Sequence, residues 1–369
     1  MRPIWSTMLA VVVLAAGSTA DARTFRYNSD GTVSPSESKA LAGEKPVIIY
    51  GSADDEIFRP VIKAFQRSNP KHAVIYHDIS TLEIYERVIR EAGAGGAGAD
   101  VLLSSAVDLQ LKLVNDGYAM EHRSAETARL PEWAVWRDEA FGFTYEPAVI
   151  AYNKSLIPHE SVPRTRRDLI RILEQNDRFF GKIATYDPER SGLGFLFLTQ
   201  DAHESKAIWS LASLFGANGV KLYTNTGTML DRVADGKSLI AYNVIGSYAE
   251  ARAKHQKTLG IIYPEDYTLV MSRIAVIPKS APHPGAARAF LDFLISPVGQ
   301  QIIANQAGLF SIHSDVTGDF TMTGLKARQG NALKPIRVGP GLLVYLDQAK
   351  RQRFLRKWRR ALNGRIATH

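Results

Sequence analysis

Apolar and polar positions follow two alternating periods along this chain. The run Val47 to Tyr50 is continuous and apolar, as in a buried strand. Phe58, Val61, Ile62 and Phe65 then recur at helical spacing, and Asn69-Pro70 ends that helix. The pattern repeats: "AVIYHDIS" predicts a strand, residues 82–91 a helix, and "GAGGAG" a flexible connection. "ADVLLSSAVDLQLKLVNDG" again reads strand, small polar residues, helix. Strands alternating with helices predict a mostly parallel sheet, with ligands at the carboxyl ends of its strands. Ser52, Ser104 and Ser105 fall at such ends.

"FGFTYEPAVIAYNKSLI" holds two strand-like runs with no helix between them, which predicts a crossing into a second domain. There the pattern predicts a helix over Arg166–Gln175, a strand over 182–186 and a turn at "YDPERSGLGF". A helix from about Phe195, another over 205–215, the loop "YTNTGTM", a helix to Ala234 and the strand "SLIAYNV" follow. The apolar strand over 268–278 is expected to cross back, after which "PGAARAFLDFLIS" and "PVGQQIIANQ" form helices on the first domain. The expected organisation is one lobe over 45–147 and 268–330, a second over 148–267, a polar extended lead-in over 23–44 and a basic helical tail over 331–369.

Composition narrows the chemistry. Of 369 residues, 45% are hydrophobic, enough for two domains with real cores. There is no cysteine, which excludes disulfides, thiolate catalysis and Cys-based metal sites. Arg2, the apolar run Met8 to Ala16 and Ala20-Asp21-Ala22 compose an export signal cut after Ala22, so a periplasmic location is expected. The net charge of +8 lies in the tail: Ala349 to His369 contains eight Lys/Arg and no acid, so a nucleic-acid-binding face is not expected. Phe354, Leu355, Trp358 and Leu362 recur at helical spacing in that tail. Such a helix either lies on anionic lipid or docks its apolar stripe on the protein, and docking on the first lobe is the expectation. Neither G-x-S-x-G, H-E-x-x-H nor a Walker A sequence occurs, so no enzyme and no cofactor is expected.

Taken in order, "VIIYGSADDE", "DVLLSSAVDLQ", "YEPAVIAYNKSLI", "GKIATYDPERSGLGF", "GKSLIAYNVIGSYAEAR" and "SRIAVIPKSAPHPGAARAFLDFLISPVGQQIIA" resemble the periplasmic solute-binding proteins of ATP-binding-cassette importers. The branch resembled is that of the ferric-iron, hexose-phosphate and phosphoglycerate binders, over roughly residues 45–312. The resemblance implies an α/β fold of two lobes, each a mostly parallel sheet flanked by helices, joined by two or three hinge strands. It also implies no catalysis, a small ligand trapped in the cleft by hinge closure, and an inner-membrane permease as partner; a monomer is expected. Presentation of the ligand to a sensor kinase is a further implied role.

Iron-binding relatives place two adjacent tyrosines after the strand that matches "SLIAYNV", whereas here Gly246-Ser247 precedes a single Tyr248. No Tyr-Tyr pair occurs, so Fe(III) held by Tyr248, Tyr242 and a synergistic anion at Ser191-Gly192 is the alternative rather than the leading reading. The leading reading is a small organic anion, a phosphorylated sugar or phosphoglycerate-like molecule. Its candidate contacts are Ser52, Ser104, Ser105, Ser191, Gly192, Thr226, Asn243, Ser247, Tyr248 and Asp266, with no metal. Hydroxyls and helix-start N–H groups can hold a phosphate without a dedicated cation. Asp187, His203, Asn243 and Asp266 could recognise hydroxyls, whereas Asp54 and Glu204 are read as capping or surface groups.

Overall fold

The structure is a computed structural model that describes residues 23–35, 46–95, 98–175 and 177–364. The expected export signal and its cleavage site at Ala22 lie outside the described residues. The first stretch of chain forms β1 (Arg23–Tyr27), β2 (Val33–Pro35), β3 (Val47–Gly51), α1 (Asp55–Ser68), β4 (Val74–Asp78), α2 (Thr81–Gly93), β5 (Val101–Ser104), α3 (Val107–Asn115), β6 (Val135–Trp136) and β7 (Ala140–Gly142). The second forms β8 (Glu146–Asn153), α4 (Arg166–Gln175), β9 (Ile183–Tyr186), α5 (Gly192–Glu204), α6 (Ile208–Ala217), β10 (Lys221–Tyr223), α7 (Thr226–Ala234), β11 (Ile240–Ile245), α8 (Gly246–Ala253), β12 (Leu259–Ile262) and β13 (Thr268–Met271). The chain ends with β14 (Ile274–Val276), α9 (Pro284–Ile295), α10 (Pro297–Asn305), α11 (Met322–Gln329), β15 (Leu333–Pro335) and α12 (Gln348–Leu362).

The strands form two sheets flanked by helices, ordered β2-β1-β4-β3-β5-β14-β7-β6 and β10-β9-β11-β8-β13-β15, with β12 also paired to β8. Each sheet is mixed rather than mostly parallel. In the first, β4, β3 and β5 are parallel, while β1 and β14 run against them. In the second, β10, β9 and β11 are parallel and β8 is antiparallel to β11. The strands that carry the chain between lobes enter from the opposite end, so they oppose the βαβ cores. The polar lead-in is not a free extension, because β1 pairs with β4 and widens the first sheet.

Two short segments join the sheets: Phe143 to Tyr145 between β7 and β8, and Ser272-Arg273 between β13 and β14. They bind each other through Phe143 N–H to the Arg273 carbonyl (3.0 Å) and Arg273 N–H to Thr144 Oγ1 (2.9 Å). The return to the first sheet therefore lies at 272–273 rather than at 268. What was read as one strand over 268–278 is two, one in each sheet.

The tail also departs from expectation. Phe354, Leu355, Trp358 and Ala361 of α12 are buried with Ile208, Leu211 and Phe215 of α6, on the second lobe rather than the first. The cause is α6 itself, "IWSLASLFGA", which is apolar around much of its circumference and needs a cover on the side facing away from its sheet. Before α12, Leu342 in the helical turn Pro340–Tyr345 is buried, and this turn packs beside α3 of the first lobe.

Candidate functional site

A cavity of about 440 Å³ lies between the lobes, within the range of roughly 300–1,000 Å³ usual for small-molecule sites. Its walls are helix beginnings. Asp54 and Glu56 stand at the start of α1, Ser80 and Thr81 at α2, and Ser105 just before α3. Across the gap, Ser191 and Leu193 stand at the start of α5, Asn225 to Thr228 at α7, and Ile245 and Tyr248 at α8. Six helix N-termini thus converge on one space, each with unsatisfied N–H groups and the positive end of its dipole.

Local sequence sets these starts. Ser80 Oγ accepts from Glu83 N–H (3.2 Å), Ser191 Oγ from Gly194 N–H (3.1 Å) and Asn225 Oδ1 from Thr228 N–H (2.8 Å). These are N-caps, and the same three residues line the cavity. A capping hydroxyl still has its O–H to donate, so capping and ligand contact coexist at Ser191. Ser52 ties two loops together: its Oγ accepts from Ser105 N–H at 3.1 Å. Thr226 Oγ1 is hydrogen-bonded to the Tyr186 hydroxyl, and the Tyr248 hydroxyl accepts from Asp54 N–H across the gap at 3.4 Å.

Gly192 explains how near the lobes come. Neither Gly192 nor Gly194 has a positive φ, so close approach rather than backbone conformation accounts for Gly192. A Cβ at Gly192 would lie 2.8 Å from Leu109 Cδ1, 2.9 Å from Thr81 Oγ1 and 3.0 Å from Ala106 Cβ. The glycine lets α5 of the second lobe touch α2 and α3 of the first.

Of the expected contacts, Ser52, Ser105, Ser191, Thr226 and Tyr248 line the cavity together. Gly192 is at the lobe contact beside it. The others stand elsewhere. Ser104 is buried and accepts from Ala106 N–H at 3.2 Å, shaping the β5–α3 turn. Ser247 is fully buried close to the Glu146 carboxylate. Asn243, at φ 60° in a bulge of β11, donates to Asp201 at 2.6 Å. Asp266 accepts from Arg166 Nη1 at 3.2 Å, away from the cleft. Tyr242 is buried in the same network, donating to Asp201 at 3.0 Å. Asn243 is turned by the bulge of β11, and Tyr242 and Asp266 are claimed by the buried Arg166.

Several cleft residues had no such signal. Arg23, Arg190 and Arg252 supply cations. Arg23 pairs with Asp78 at 2.8 Å and Arg252 pairs with Asp231, whereas Arg190 has no ion-pair partner among the described residues. Asp54, read as a capping or surface group, instead lines the cavity, makes no side-chain cap bond, and has its carboxyl pushed upward by burial. His203 and Glu204 are exposed at the far end of α5, and Asp187 caps its own loop through Glu189 N–H at 2.9 Å.

Beneath the cavity, the joining segments bring together Glu146 and Arg273, both buried, with Nε 3.6 Å from Oε1. The Arg273 guanidinium is 5.4 Å from the Tyr248 ring centre. A lone arginine inside the apolar run "LVMSRIAVIP" was a legible sign of a buried charge needing a partner. Burial pushes the Tyr248 phenol above its ordinary range despite that cation.

The model of the bacterial extracellular solute-binding protein family matches residues 61–323. The chain belongs to that family. It is similar to the substrate-binding protein of an ABC transporter from Agrobacterium tumefaciens, at 41% identity over 94% of this chain and 100% of that one, with a TM-score of 0.87. More distant folds include AfuA of Actinobacillus pleuropneumoniae with fructose-6-phosphate bound (17% identity, 87% and 99% of the chains, TM-score 0.70). Iron-bound HitA of Pseudomonas aeruginosa is another (19%, 86% and 99%, TM-score 0.66). A comparison with curated protein sequences finds no match. Membership of this family makes the chain a solute-binding protein. Among the described residues no helix is long and apolar enough to cross a membrane.

Proposed function

We propose that this protein captures a small organic anion, a phosphorylated sugar or a phosphoglycerate-like molecule, by hinge closure in the periplasm and delivers it to the inner-membrane permease. In this reading the exported form begins after Ala22. The observation that carries it is the convergence of six helix N-termini on one cavity. Helix starts favour an anion without an obligatory cation. The carboxylates in the same cavity, Asp54 foremost, suit the hydroxyls of a sugar or glycerate. The fructose-6-phosphate bound to AfuA is in keeping with this reading.

Fe(III) would need Tyr248 together with Tyr242, whereas the Tyr242 hydroxyl is buried and donates to Asp201 away from the cavity. Among the described residues no group of three or more His, Asp or Glu side chains is placed to hold a metal ion. Presentation of the ligand to a sensor kinase rests on resemblance alone, and no feature of the structure favours it.

Thermal melts against glucose 6-phosphate, fructose 6-phosphate, 3-phosphoglycerate, simple carboxylates and Fe(III) test the reading. A phosphate ester at a hundredfold excess over its Kd should stabilise the protein by about 2.7 kcal/mol. Stabilisation by Fe(III) with a visible tyrosinate band, and by none of the anions, would overturn it.

A further inference from the structure

Helix α12 shows two unlike faces. Its apolar stripe is consumed, because Phe354, Leu355, Trp358 and Ala361 are buried against α6 and its neighbours. The helices approach so closely that a Cβ on Gly216 would strike the Leu362 carbonyl. The opposite face presents Lys350, Arg353, Arg356, Lys357, Arg359 and Arg360, all exposed. Arg359 pairs with Glu189 at 3.1 Å, and the other five have no acidic partner among the described residues. Lys206, before α6, adds a further exposed cation near Lys357. The sequence offers no compensating acid from Ala349 to the end.

We propose that this cationic face of α12 is a peripheral docking surface for an anionic lipid bilayer. Charge complementarity selects the occupant. The core of a protein interface is depleted in charge and centred on aromatic or arginine anchors held in desolvated pockets, whereas these six cations all stand exposed on one helix face. Every large apolar side chain of α12 from Phe354 to Trp358 is already buried on this chain's own lobe. A single-stranded nucleic acid needs stacking platforms, which this face also lacks. A bilayer carrying anionic headgroups requires only a row of cations and no shape complementarity. Because the apolar stripe is not free to insert, attachment is electrostatic, reversible and salt-sensitive. The Arg359–Glu189 pair joins this face to the loop holding Arg190 and Ser191, so docking holds the cleft-side loop of the second lobe close to the membrane.

Co-sedimentation of the full chain with vesicles of phosphatidylglycerol and phosphatidylcholine, against phosphatidylcholine alone, tests this. Binding is expected only to the anionic vesicles, and it should fall steeply as salt rises past about 0.15 M. The triple variant R353E/R356E/R360E should bind roughly tenfold less or weaker still, given what each cation contributes at an anionic surface. The control K63E/R67E/K71E, with the same change of net charge on exposed positions of the first lobe, should bind like the parent. R353Q/R356Q/R360Q removes the charges without adding new ones, and equal melting temperatures establish that the variants are folded. The proposal is overturned if the parent ignores anionic vesicles at low salt. Equal loss in the control triple, which would make net charge the only cause, also overturns it.

Discussion

On its first-lobe wall the cleft sets Arg23 against Asp54, Glu56 and Asp78, whereas its second-lobe wall sets Arg190 and Arg252 against Asp231. The walls share their architecture, three helix starts apiece, yet one carries an excess of acids and the other an excess of cations. The difference teaches where each end of a phosphorylated polyol would sit. Under the proposed function, the phosphate would sit on the second wall, near Ser191, Arg190 and the start of α7, and the hydroxyls on the first, near Asp54 and Ser52. Closure would then matter chemically as well as mechanically, since neither wall alone offers both halves.

The sharpest way to break this division is to place an acid on the cationic wall. Ser191→Asp keeps a good N-cap but puts a carboxylate at the start of α5. Like charges brought together cost several kcal/mol, so affinity for a phosphate ester should fall on the order of a hundredfold with little change in melting temperature. Ser191→Ala should cost only about 1 kcal/mol in binding, one ordinary hydrogen bond. Calorimetric titration reads both; unchanged affinity in Ser191→Asp would leave Ser191 as a cap alone.

A smaller effect is expected from the acid wall. Asp54→Asn should weaken a sugar phosphate by about tenfold, the size of one lost charge-assisted hydrogen bond. Inorganic phosphate, having no carbon-borne hydroxyls, should bind equally well or slightly better. Parallel losses for both ligands would show that the walls do not divide the ligand as described.

The smallest effect concerns Asp108, buried in the first turn of α3 on the acid side, where desolvation pushes its carboxyl up to about 7. Backbone N–H groups and Arg351 oppose that shift. Between its ordinary value of 3.8 and about 7, the folded protein holds a proton that the unfolded chain has released. Stability is therefore fullest at acid pH and declines as pH rises through that window. Asp108→Asn keeps an acceptor for Leu109 N–H, bonded at 3.0 Å, and removes the titration. Between pH 5 and 8 the melting temperature of the parent should fall by a few degrees relative to that of the variant, because other shifted groups such as His77 act equally in both; parallel curves would show that Asp108 is not the titrating group.

Much of the molecule was open to reading from local order. α4 covers the expected Arg166–Gln175, and the strand–turn–helix units around Ser52, Ser105 and Ser191 occur where periodicity and small polar residues placed them. These features depend on neighbours a few residues apart, which a single chain segment already contains. Five of the ten expected contacts meet in the cavity because strand-end position is itself local. What required the tertiary structure was every feature made by distant partners. Arg23 reaches the cleft only because β1 pairs with β4, and Gly192 is small because Leu109, Thr81 and Ala106 approach it from the other lobe. Asn243, Asp266 and Tyr242 turn away because a buried Arg166 and Asp201 claim them. The tail's stripe announced that it would be covered, but α6 decided where. Periodicity states that a face must be buried; only packing, in which two such faces compete for the same solvent-free space, determines against what.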